Sequence, residues 1–115
     1  MKDIAGEIQY RETTYKLVFN LNVMERIQDE YETVEKWAEL TDGASGEVNA
    51  KAVIFGFTEM LNEGIDIDND ENKTNNPFLT LKQVGRMITE IGLKEATKQL
   101  NDTVIKSTQS TEKNG

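Results

Sequence analysis

TYKLVFNLNVMERIQDEY, Thr14 to Tyr31, changes its apolar period part-way along. From Thr14 to Phe19 the residues alternate, with Tyr15, Leu17 and Phe19 on one side and Lys16 and Val18 on the other. That is the period of two expected of a half-buried strand, whose successive side chains point to opposite faces. From Asn22 the period lengthens. At about 100° per residue, Val23, Met24, Ile27, Tyr31, Val34 and Ala38 fall in one stripe, the pattern of an amphipathic helix laid on a core. A chain that passes from strand to helix within a few residues predicts an α+β fold, here mostly α.

Upstream, residues 4–10 (IAGEIQY) read as a first strand with Ile4, Ile8 and Tyr10 on one face, joined to the second by polar RET. A lone hairpin is marginal in water, so this one must lie on helices or on another chain's strands, and its outer edge is a candidate contact surface. Asn22 reads as the cap of the first helix, with Glu25 three residues later completing a capping box. Thr33 offers a second cap, so the stretch from 22 to 40 is either one bent rod or two pieces broken near Glu32. TDGASGEVN follows as a loop.

A further helix is expected from about Val48 to Glu63, with Ala50, Val53, Ile54, Phe57, Met60 and Leu61 inward and Gly64 placed as a left-handed terminator. Thr80 and Gln83 form another capping box, opening a helix with Leu81, Val84, Ile88 and Ile91 on one side that Gly92 ends. Leu93, Ala96, Leu100 and Val104 define a last helix to about Lys106. The organisation expected is one domain over 1–106, a hairpin packed on four to five helices, and a disordered tail over 107–115, which has nothing to bury.

The stretch between Gly64 and Thr80 carries Asp66, Asp68, Asp70 and Glu71. Counted from Asp66, it fills positions 1, 3 and 5 of a calcium loop of the helix-loop-helix type. Position 6, which requires Gly, is Glu71, and position 12, which requires a bidentate Glu, is Pro77. The oxygen cage does not close, and a solvated acidic loop is expected, with no metal and no cofactor.

The chain has no His and no Cys, which removes the commonest general base, ordinary zinc sites and thiol chemistry. Ser45, Ser107 and Ser110 have no His partner, and carboxylate pairs such as Asp29 with Glu30 or Glu35 with Glu39 lie on the polar side of a helix, where nothing separates their pKa values. Catalysis is not expected. Net charge is −8: residues 1–79 hold seven basic against seventeen acidic side chains, while residues 80–115 hold six basic against four acidic. That balance repels phosphate backbones and argues against nucleic acid. The first twenty residues hold no apolar run of signal-peptide length and no later run approaches a membrane span, so a cytoplasmic chain is expected.

A protein partner is the remaining expectation. Phe55 points about 160° away from the inward stripe of its own helix, so it is covered from the other side or exposed to a partner. Trp37, Met60 and Met87 are weighed the same way, as core or as adaptable contact surface.

The combination GEIQYRETTYKLVFNLNVMERIQDEY, a helix after a Gly-bearing loop, and LTLKQVGRMITEIG resembles the tail assembly chaperones of long-tailed phages and prophages of Gram-positive bacteria, over roughly Gly6 to Lys98. The chain departs from that pattern in having no Gly after Tyr31 and in its long acidic stretch. The resemblance implies a non-catalytic protein that binds the tape measure protein, keeps it soluble and extended, helps to recruit tail tube subunits, and is absent from the finished particle. A small structural virion subunit, using the hairpin edge in a ring, is the alternative, and an acidic decoy of a nucleic-acid-binding protein a weaker one. Self-association is left open.

Overall fold

The structure, a computed structural model, describes residues 5–43 and 46–113. Ile4 and Ser45 lie outside the described residues, as do residues 114–115 at the end of the expected tail. Two strands, β1 (Ala5–Tyr10) and β2 (Thr13–Val18), are followed by α1 (Leu21–Tyr31), α2 (Val34–Thr41), α3 (Ala50–Asn72), α4 (Leu81–Ile91) and α5 (Leu93–Lys113). The mostly helical α+β architecture with an N-terminal hairpin is as the sequence predicts.

β1 and β2 pair antiparallel, from Ala5 opposite Val18 to Tyr10 opposite Thr13, through a two-residue turn in which Arg11 takes φ 58°. Ile8, Leu17 and Phe19 are buried, as the alternation requires, and so is Val18 from the other side. Both faces find cover because β2 lies along α3 and β1 against α5. At Gly6 a Cβ would overlap the Thr103 hydroxyl, so the strand approaches α5 too closely for a side chain.

The cap of α1 lies two residues before the expected one. Asn20, extended at the end of β2, accepts from the Val23 N–H at 3.2 Å, and its own amide donates to Glu63 at 2.7 Å. One Asn thus caps α1 and ties it to α3, and Asn22 is free to donate to Glu63 as well, at 3.1 Å. Of the two readings left open for 22–40, the structure takes the two-piece one. Thr33 N–H donates to Tyr31 C=O at 2.8 Å around Glu32 at φ 73°, ψ −49°, a γ-turn of the strained hand. The Thr33 side chain then caps α2 by accepting from Lys36 N–H at 3.0 Å. Glu32 occupies a backbone state ordinary only for glycine, and its carboxylate, held below the usual range by the Lys36 ammonium at 2.6 Å, is fully exposed.

The largest correction concerns α3. It was expected to end at Glu63 with Gly64 as terminator, but it continues to Asn72 and stops at Lys73, which takes the left-handed conformation at φ 55°. Gly64 is buried in mid-helix, where a Cβ would sit 2.9 Å from the Lys16 carbonyl oxygen. Its smallness serves a close approach between helix and strand, and a glycine used that way costs helix stability without ending the helix. α4 opens with the expected reciprocal capping box between Thr80 and Gln83 and ends at Gly92, φ 106°. α5 runs seven residues past Lys106. No Gly or Pro interrupts that stretch, and Thr103 and Ser107 turn inward, so the last turns extend a helix already nucleated rather than forming a separate tail.

The core joins hairpin and helices through Leu17, Phe19, Ile27, Trp37, Phe57, Met60, Leu61, Val84 and Leu100. Trp37 has no exposed surface, stacks on Phe19 with centroids 6.5 Å apart, and donates its indole N–H to the Ala52 carbonyl at 2.9 Å. The ring fits because Gly56 has no side chain, since a Cβ there would overlap it. Gly85 is different: a Cβ would meet only Ile54 Cδ1, at an ordinary 3.6 Å.

These contacts separate the glycines by experiment. Gly85→Ala should raise stability by about 0.5–1 kcal/mol, the helix-propensity gain. Gly56→Ala should lower it, because overpacking of about 1–3 kcal/mol exceeds that gain. Glu32→Gly should stabilise by about 1 kcal/mol, since relief of a strained backbone outweighs glycine's added chain entropy and an exposed ion pair is worth little. Urea unfolding of the three variants, read as midpoint shifts at constant slope, checks all three signs.

Candidate functional site

Of the four residues singled out as contact candidates, the structure brings three into the core. Trp37, Met60 and Met87 are at most 3% exposed, so none presents surface in this fold. Each faces another element: Trp37 the notch at Gly56, and the two methionines the shared interior. Phe55, which the inward stripe of α3 leaves out, is half-buried because Tyr31 covers it edge-on, with centroids 5.6 Å apart and planes at 69°. The break at Glu32 leaves Tyr31 at the end of α1, over α3.

The acidic stretch is not a loop. Wound into α3, its carboxylates are sorted by the helical repeat, so that Asp68 turns to the hairpin and pairs with Lys16 at 3.0 Å, while Asp66 and Asp70 lie one turn apart on another side. The hydrogen bond and charge of Asp68 hold the exposed Lys16 ammonium above its ordinary range. Among the described residues no three acidic side chains come together in a way that could hold a metal ion. Asp29, Glu30, Glu35 and Glu39 are exposed, so no dry pocket acts on them.

The segment from Lys73 to Thr80 folds back along α3, and two asparagines two turns apart hold it there. Asn62 makes a paired contact with the backbone of Leu79, its amide donating to the carbonyl at 2.9 Å and its oxygen accepting from the N–H at 2.8 Å. Asn69 does similar work nearer the bend, donating to Asn76 C=O at 3.0 Å and accepting from Asn76 N–H at 2.9 Å and Thr74 Oγ1 at 3.0 Å. A carboxamide suits both places because it carries donor and acceptor on one rigid plane. Sequence reading missed these residues; their seven-residue spacing, which puts both on one helix face, was the available signal.

Phe78, on this return segment, is exposed although its neighbours are pinned, and among the described residues Leu21, Leu81, Leu93 and Ile105 are the other large apolar side chains that face solvent. Phe78 and Asp66 line two adjoining clefts. One lies toward α1, with Asn22, Val23 and Arg26, and the other along the return segment, with Asn69 and Asp70. Both are open and polar, the first near 180 Å³, and neither holds a desolvated acid, base or nucleophile. No helix among the described residues is long and apolar enough to cross a membrane. No protein-family model, curated protein or solved structure matches the chain.

The arrangement thus offers contact rather than chemistry, and two substitutions test its supports. Asn62→Asp replaces a donor facing the Leu79 carbonyl by a charge and should cost about 1–3 kcal/mol, whereas Asn62→Gln should recover little because the paired geometry is lost. The Tyr31 hydroxyl is buried without a hydrogen-bond partner among the described residues, and burial raises its pKa above the tyrosine range. Its folded pKa exceeds the unfolded one, so the contribution is complete below about pH 10 and is lost as pH rises through the folded value. Tyr31→Phe should therefore leave stability at pH 7 unchanged or up to about 1 kcal/mol higher, and abolish the part of the high-pH loss of stability that Tyr31 ionisation causes, read as the thermal midpoint against pH.

Proposed function

We propose that the protein is a non-catalytic tail assembly chaperone, which binds the tape measure protein in the cytoplasm of the bacterial host, keeps it soluble and extended, and helps to recruit tail tube subunits. The sequence resemblance over Gly6 to Lys98 suggests the role. The observation that carries it is physical: a chain of net charge −8 keeps Leu21, Phe78, Leu81, Leu93 and Ile105 at least 41% exposed. An apolar side chain in water marks a contact site where it adjoins a recess that a partner can fill, as Phe78 does beside two clefts. A long, helical, apolar client exposes surface before it is enclosed, and covering that surface suppresses aggregation. The high like charge of the covering protein then keeps the complex dispersed.

Co-expression with the tape measure protein encoded in the same genome tests the reading. The client should be found in the soluble fraction bound to this chain, and purified particles should lack the chain. A client equally soluble without it, or the chain present stoichiometrically in mature particles, would contradict the proposal, the second in favour of a structural subunit.

A further inference from the structure

We infer that the two clefts flanking Phe78, between α1, α3 and the return segment, dock a cationic, apolar segment of a partner polypeptide, with Phe78 as the apolar anchor. In naming where a client sits, the inference rests on the chaperone reading above.

α3 carries Glu59, Glu63, Asp66 and Asp70 at steps of four, three and four residues. A 3.6-residue turn lays them in one row about 16 Å long. Compensation along the row is uneven. Glu59 meets Arg26 at 3.5 Å, and Glu63 accepts the amides of Asn20 and Asn22. Asp66 and Asp70 have no ion pair or hydrogen bond among the described residues. They also occupy the C-terminal half of α3, where no basic residue stands in the last turn and Lys73 follows as the cap. Aligned peptide dipoles make that end negative, so carboxylates there weaken the helix unless a cation approaches.

Phe78 is the second, independent observation. The residue is 54% exposed, and Asp66 lines both of the clefts that it lines. The backbone beneath is fixed by Asn62 and Asn69 through Leu79 and Asn76, so the ring is presented by a frame that is already ordered. Pre-ordering lowers the entropy cost of association, and removing a phenyl ring from water is a larger driving force than a surface ion pair. The ring supplies affinity and the carboxylates supply choice of partner.

Charge selects the occupant. A second copy would bring another −8 to an acidic face, and nucleic acid would bring phosphates. A polypeptide segment with Lys or Arg one helical turn from a large apolar residue meets both the ring and the unpaired aspartates.

The test measures fluorescence anisotropy of two labelled amphipathic peptides on the full chain, one with Lys and Leu at helical spacing and one with Glu replacing Lys. The Lys peptide should bind and the Glu peptide should not. Phe78→Ser should weaken binding about tenfold, as loss of an anchor does. The double variant Asp66→Asn with Asp70→Asn should weaken it about fivefold at low salt, with the difference vanishing near 1 M salt, where the Debye length is about 3 Å. The control Glu30→Gln with Glu35→Gln removes the same charge elsewhere and should bind as wild type. Equal loss in the control, or no loss in Phe78→Ser at an unchanged thermal midpoint, would overturn the site. Capture of the tape measure protein by Phe78→Ser at the wild-type level would likewise sink the site while leaving the chaperone reading intact. Phe78-dependent peptide binding by a chain that captures no tape measure protein would support the site and defeat that reading.

Discussion

The seating of Trp37 on α3 is the constraint from which the rest of the architecture follows. A tryptophan without exposed surface must place an indole N–H, and the Ala52 carbonyl takes it on the lone pair that the helical hydrogen bond leaves free. That geometry sets the indole edge of Nε1, Cε2 and Cζ2 against the helix at position 56, where only glycine leaves room, and leaves a face of the ring to stack on Phe19 at the exit of the hairpin. One side chain thereby joins α2, α3 and the hairpin. Two turns on, Gly64 repeats the device against the Lys16 backbone. With both notches filled, α3 is held along β2 far enough to run past the point where its composition turns acidic.

That extension changes what the acidic stretch does. As a loop, four carboxylates in six residues would be a solvated tether. As helix, they are distributed by the turn: Asp68 closes onto Lys16 while Asp66 and Asp70 continue the row begun by Glu59 and Glu63. The chain then returns along the same helix, pinned by Asn62 and Asn69, and sets Phe78 beside that row. Water-facing charge and a water-facing ring are products of one length of α3, and the proposed role in shielding another polypeptide draws on both.

Much of the fold was legible because the signals were local. The alternation around Leu17, the Thr80 and Gln83 box and the stop at Gly92 each depend on a few neighbouring residues, and each stands as read. What misled was glycine. Gly64 has the spacing of a terminator, and nothing nearby distinguishes that use from a notch cut for a strand distant in sequence. The same blindness moved the first cap from Asn22 to Asn20, whose amide is engaged by Glu63 on another helix. The choice between core and surface was illegible for a related reason: hydrophobicity placed Trp37, Met60 and Met87 on apolar faces, but only packing decides that those faces meet each other. Phe78, in a stretch read as solvated, was overlooked because exposure there is a product of the asparagine pins rather than of composition.

On the proposed role, the acidic end of α3, helical and paired with the return segment, is the face that another polypeptide covers. Amide hydrogen exchange on the chain alone and in complex with the tape measure protein tests it most directly. Helical protection is expected over residues 64–72 in the free chain, with further slowing over 66–80 in the complex. Rapid exchange of 64–72 in the free chain, or slowing confined to the hairpin and α5 in the complex, would contradict it.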